Sequence, residues 1–89
     1  MVTKKESKYG IEYLNELGQY HREDGPAIEF SDGTKYWYIK GQFHREDGPA
    51  REFPDGSKFW YLKDIKYSEQ EWQQEIINIK LERLKNYGN

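Results

Sequence analysis

The sequence predicts a mainly β protein closed by one C-terminal helix. The sheet is an antiparallel meander of about five strands, built from 23-residue β-hairpin repeats. Two observations carry this. His21-Arg22-Glu23-Asp24-Gly25-Pro26-Ala27 returns unchanged as His44-Arg45-Glu46-Asp47-Gly48-Pro49-Ala50, a shift of 44 − 21 = 23 residues. After Tyr67 the pattern changes to a Gly- and Pro-free run with helical spacing that lasts to Gly88. A period of this size is the signature of a stacked array of supersecondary units.

The match extends past the motif. Glu29-Phe30 returns as Glu52-Phe53, and Asp32-Gly33 as Asp55-Gly56. Thr34-Lys35-Tyr36-Trp37-Tyr38-Ile39-Lys40 returns as Ser57-Lys58-Phe59-Trp60-Tyr61-Leu62-Lys63. Each unit reads as a hairpin. Ala27 to Phe30 is a short strand, and Asp32-Gly33 supplies the positive φ of a tight turn. Lys35 to Ile39 is the return strand, rich in β-forming aromatics. Lys40-Gly41-Gln42 turns again toward the next His-Arg-Glu-Asp-Gly-Pro segment, where Gly and Pro break regular structure. A partial copy comes first: Tyr9 to Leu14 reads as a return strand, and Gly18-Gln19-Tyr20-His21 matches Gly41-Gln42-Phe43-His44. The organisation is one domain over residues 1–89: a polar segment 1–8, a hairpin array 9–67 and a helix 68–87.

The repeat segment, the Asp-Gly turn and the Lys35-to-Gly41 strand resemble the MORN-related repeats (membrane occupation and recognition nexus) of small phage and bacterial proteins. Antitoxin-like relatives belong to that group. The resemblance covers roughly residues 9–67. It departs from the standard MORN unit, which is glycine-rich and begins with a Tyr-x-Gly element, so it does not extend to lipid binding. It implies a meandering sheet of hairpins and no catalytic chemistry. It also implies a phage-encoded protein that binds and modulates or inhibits a host protein.

Composition bounds the function. Aromatic residues are 17% of the chain within an apolar fraction of 35%, so a few large rings must supply most of the burial. The net charge is −2, with 14 basic and 16 acidic residues interspersed. That balance argues against a nucleic-acid partner, which needs a basic stripe, and against an anionic membrane surface. There is no Cys for a disulfide framework or a thiolate metal site. No apolar run approaches the ~20 residues that span a bilayer, and the polar start lacks a secretion signal, so a cytoplasmic location is expected.

For the helix, Ser68 is the N-cap and Glu71 completes a capping box. Trp72, Ile76 and Ile79 form one apolar stripe. Ile77, Leu81 and Leu84 form a second, centred roughly 140° away by the 3.6-residue period. A helix that only caps a sheet needs one stripe. Either the two form one wide face on the sheet, or the second meets another chain, most simply a second copy in a homodimer.

Two further sets of residues are candidates. His21 and His44, beside Arg, Glu and Asp, suggest a metal site or an acid–base pair. Their equivalent placement in two repeats instead favours a shared structural task, with His21, Asp24, Gly25, Pro26 and His44, Asp47, Gly48, Pro49 holding the turns. No catalytic residue, metal or cofactor is expected. On the return strands both faces are apolar: Tyr36, Tyr38, Phe59 and Tyr61 on one, Trp37, Ile39, Trp60 and Leu62 on the other. A half-solvated antiparallel sheet normally shows one polar face. Tyr36, Tyr38, Phe59 and Tyr61, with Ile77, Leu81 and Leu84, are therefore the candidate partner-binding residues of a protein-interaction module. The alternative from another class is a small-ligand or nucleotide-binding protein using the Tyr/Trp ladder. A third is a metal-dependent enzyme at His21 and His44.

Overall fold

The computed structural model describes residues 2–87. Nine short strands precede one helix: Thr3–Ser7 (β1), Gly10–Leu14 (β2), Ile28–Phe30 (β3), Lys35–Tyr36 (β4), Tyr38–Ile39 (β5), Gln42–Phe43 (β6), Arg51–Glu52 (β7), Lys58–Leu62 (β8), Ile65–Tyr67 (β9) and Glu69–Tyr87 (α1). Seven strands form one antiparallel sheet in the order β1-β2-β3-β4-β7-β8-β9, and β5 pairs with β6 beside it. The molecule is a slab of 48 × 32 × 17 Å, little thicker than one sheet with a helix on it.

The meander and the C-terminal helix match the expectation, but the estimate of about five strands is low. Thr3–Ser7, inside the polar segment 1–8, pairs with β2 over five residue pairs from Thr3–Leu14 to Ser7–Gly10. Its polar, exposed side chains gave no apolar alternation to read, and they suit an edge strand that must not recruit another chain. Tyr9, expected to begin the first return strand, sits in the turn before Gly10 instead. At the other end the repeat's sequence decays but its hairpin does not. Leu62 pairs with Ile65 as Ile39 pairs with Gln42.

Turn chemistry explains why. Lys40-Gly41 have φ of 50° and 79°, and Lys63-Asp64 have 50° and 68°. Positive φ at both central residues is the two-residue turn that fits the twist of a hairpin. Asp64, one of the side chains tolerated there, replaces Gly41. The Asp-Gly turns are a residue longer. Only Gly33 and Gly56 take positive φ, at 99° and 91°. Asp32 and Asp55 accept the Thr34 and Ser57 amides at 2.8 and 2.9 Å. These bonds hold both carboxyls below the usual carboxylate range.

Each long return strand divides its hydrogen bonds between two partners. In the second unit the division falls at Trp37, whose amide donates to the Ala50 carbonyl and whose carbonyl accepts from His44. Tyr13 does the same with Ala27 and His21. Ala27 and Ala50 are 0% exposed, so the final residue of each motif has no room for a larger side chain. Ile28, Leu62 and Ile76 complete the small apolar core. Trp37 and Trp60 are only half-buried.

The capping box forms as read: the Glu71 amide donates to Ser68 Oγ at 3.1 Å, and the Ser68 amide to Glu71 Oε1 at 2.9 Å. That bond also keeps the Glu71 carboxyl below its usual range. The helix lies against β8 and β9. Trp72 Nε1 donates to the Arg45 carbonyl at 3.0 Å, and Arg83 pairs with Glu46 at 2.7 Å. Repeat numbering would put a third His-Arg pair at Tyr67 and Ser68, so the helix starts where the next motif would begin.

Candidate functional site

The two HREDGPA segments are built alike. His21 Nδ1 accepts the Lys40 amide at 2.9 Å, and His44 Nδ1 accepts the Lys63 amide at 3.1 Å, each 19 residues ahead. Each histidine thus anchors the turn of the following hairpin, with its proton on Nε2. Nε2 of His44 lies 3.0 Å from Glu46, whereas that of His21 is 3.9 Å from Glu23. Partial burial opposes the charge on Glu46, but bonds from His44 and Arg83 outweigh it and hold that carboxyl below its usual value. Among the described residues no three His, Asp or Glu side chains converge where an ion would sit.

The arginines of the motif, not singled out from the sequence, are its latch. Arg45 bonds Asp47 at 2.8 Å through Nε, and Pro49 O at 3.0 Å and Glu52 at 2.9 Å through a terminal nitrogen. Its guanidinium lies 3.8 Å from the centre of the Trp37 ring. Arg22 bonds Asp24 at 3.0 Å and Pro26 O at 3.2 Å, over Tyr13 at 4.1 Å. This folded arginine explains the glycine. A Cβ on Gly25 or Gly48 would stand 2.9 or 2.8 Å from the guanidinium carbon, inside van der Waals contact. The signal was present in sequence as Arg and Gly three residues apart in both copies. Asp24 and Asp47 hold the arginines, and Pro26 and Pro49 supply the carbonyls. An open groove of about 690 Å³ is lined by both loops, with Arg22, Trp37, Ile39, Arg45 and, from α1, Lys80 among its lining residues. Both arginines along it are already committed to carboxylates.

The opposite face of the sheet is aromatic. Tyr36, Tyr38, Phe59 and Tyr61 come together there, joined by Tyr20, Phe30, Phe43 and Phe53. Tyr20, Tyr38, Phe43 and Tyr61 run as a ladder, with successive centroids 5.3, 4.3 and 5.0 Å apart and interplanar angles of 35°, 25° and 30°. The rings stack on one another, so the two inner rungs, Tyr38 and Phe43, spend their π-faces on their neighbours. A base seeking a stacking platform finds only the two ends of the ladder.

Arg51 stands in this face at the position Ile28 holds in the first repeat. Its guanidinium lies 4.9 to 5.9 Å from the rings of Tyr36, Phe43, Phe53 and Phe59. It donates to the Tyr36 and Tyr61 hydroxyls at 3.2 and 3.4 Å. Desolvation works against its charge, but those hydroxyls outweigh it and raise its pKa further. The sequence signal for this residue is the departure of Arg51 from Ile28 at equivalent repeat positions. Rings on this face are half-buried, with Phe30 more open at 37% exposed.

The third set is on the helix. Ile76 is buried and Trp72 and Ile79 are partly so, whereas Ile77, Leu81 and Leu84 are 50%, 52% and 66% exposed. The two stripes therefore face different surroundings, and the reading of one wide face on the sheet does not hold. No described helix is long and apolar enough to cross a membrane. Comparison with protein-family models, with curated proteins and with solved structures gave no match for this chain.

Proposed function

We infer that this chain is a non-enzymatic protein-binding module of the cytoplasm, whose contact surfaces are the aromatic sheet face and the outer stripe of α1. The observation that carries the reading is that Ile77, Leu81 and Leu84 stand in water while the same helix buries Ile76 against the sheet. Apolar side chains grouped this way on a small domain mark association surfaces. The aromatic face supports it. Half-buried Tyr and Phe rings around an arginine are the composition of interface centres. Self-association through the helix belongs to the same reading. The resemblance of the repeat segment to MORN-related repeats, which have antitoxin-like relatives, supports a host protein as the partner of the aromatic face, with modulation or inhibition as the consequence. The nucleotide-binding reading is weaker, because the ladder's π-faces are mostly spent on each other.

The test is retention of a host protein on the immobilised chain, reconstituted with the purified pair. Phe30→Lys and Tyr38→Lys should each abolish the complex at unchanged helix content. A partner held equally by parent and both variants would remove the aromatic face from the interface. Failure of the parent to hold any protein, with the chain remaining monomeric, would overturn the reading.

A further inference from the structure

The outer stripe of α1 has a finer pattern than three exposed aliphatics. Gln70, Ile77 and Leu84 are spaced by seven, and Gln74 and Leu81 interleave with them by four and three. All five are exposed, and Gln74 also donates to Asn78 at 3.2 Å along the helix. This is the a/d seam of a two-helix coiled coil, with Gln74 and Leu81 at one core position and Gln70, Ile77 and Leu84 at the other. The flanks are then Glu71, Asn78 and Lys85 on one side, and Gln73 and Lys80 on the other.

The flanks discriminate between orientations. In a parallel pair of identical helices, Lys80 would face the partner's Lys85, twice, with no opposite pair in compensation. In an antiparallel pair each flank meets its own kind. Glu71 then faces the partner's Lys85, twice, and Asn78 faces the partner's Asn78. Lys80 meets the partner's Lys80 once. The central layers become Leu81 against the partner's Ile77, twice, and Leu84 packs on the stem of the partner's Gln74. Antiparallel packing also opposes the two helix dipoles.

We propose that the outer face of α1 docks a second copy of this chain as an antiparallel, two-fold helix pair, in the register that sets Asn78 against the partner's Asn78. This rests on the reading of that stripe as an association surface and specifies its occupant. The seam is self-complementary, as a two-fold interface requires. It is also short, with two apolar layers at its centre, so the association is weaker than that of an interface of standard size.

The chain contains no cysteine, so a single introduced thiol reports contact unambiguously. Asn78→Cys and Gln70→Cys both lie on exposed helix positions and leave the folded core untouched. Under mild oxidation, Asn78→Cys should give a covalent dimer. Gln70→Cys should not, because the antiparallel register separates the two copies of residue 70 by about 27 Å along the axis. Lys85→Glu in the Asn78→Cys background should weaken dimer formation about 2- to 30-fold at low salt, through two exposed pairs. Cross-linking of Gln70→Cys equal to or faster than that of Asn78→Cys overturns the antiparallel register while leaving self-association intact. If neither variant cross-links and the parent sediments as a monomer at high concentration, the stripe is not a self-association surface at all.

Discussion

Replacing Gly48 by Ala adds one methyl group where the Arg45 guanidinium carbon lies 2.8 Å from the ideal Cβ position. Glycine 48 does not have a positive φ, so the backbone accepts Ala and the cost comes from the arginine alone. Arg45 must move off Trp37, which loosens its bonds to Asp47, Glu52 and the Pro49 carbonyl. Charged hydrogen bonds contribute about 1.5–3 kcal/mol each when buried. The Arg45 side chain is 19% exposed and Asp47 is 84% exposed, so solvent screens part of this. A net loss of about 1–2 kcal/mol follows, or roughly 4–16 °C in Tm for a domain of this size. The decisive measurement is the double-mutant cycle. In an Arg45→Ala background the obstacle is gone, and Gly48→Ala should instead stabilise by about 0.4–1 kcal/mol through the unfolded chain. The coupling between the two sites should thus be about 1.5–3 kcal/mol. Urea melts of the four proteins measure it. Additive effects within about 0.5 kcal/mol would refute the latch as the reason for the glycine.

Three other outcomes are expected. His44→Ala should destabilise by about 1–3 kcal/mol through loss of the Nδ1 acceptor for the Lys63 amide, and His44→Asn, which keeps an acceptor near that position, by less. Equal losses in chemical melts would show that the ring's packing matters and its bond does not. Lys40→Asn creates an Asn-Gly pair where Lys40 has φ 50°, and should stabilise by about 0.5 kcal/mol in the same assay, since Asn tolerates that region better. The carboxyls of Asp32, Asp55, Glu46 and Glu71 are all held below their ordinary values of 3.8 and 4.5. Their contribution is therefore complete above about pH 4.5, and is lost as pH falls through the lower folded-state values. Stability measured from pH 6 to pH 2 should fall only in the acid part of that range, and Asp32→Asn should reduce the drop.

What the sequence made legible was whatever repeats or punctuates. Identical segments at a fixed shift revealed the hairpins, the alternation in Tyr36-Trp37-Tyr38-Ile39 separated the two faces, and Ser68 with Glu71 marked the helix start. The shared role of His21 and His44 followed from equivalence alone, although the bond each one makes did not. Other features depend on contacts between distant positions. Thr3–Ser7 is a strand because β2 offers it a partner, not because its residues prefer one. The ladder's ring-on-ring stacking needs Tyr20 and Phe43 from turn-proximal positions beside Tyr38 and Tyr61 from return strands. Arg51 carries no repeat signal, because its information lies in how it differs from Ile28 and in rings that converge on it from four separate positions.

The bonds that join one unit to the next are of a single kind. His21 to Lys40, Tyr20 to Gly41 and Arg22 to Tyr38 recur as His44 to Lys63, Phe43 to Asp64 and Arg45 to Tyr61. The same bonds serve at both junctions, so a further copy would find a junction of the kind already present. Duplicating residues 21–43 in tandem would present each junction with the partner it already recognises and leave β1 and α1 as terminators. It would add two rungs to the stack of rings, one from each copied hairpin strand. Lineages descended from such duplications could lengthen the aromatic face in steps without redesigning a turn, and a designer could do the same.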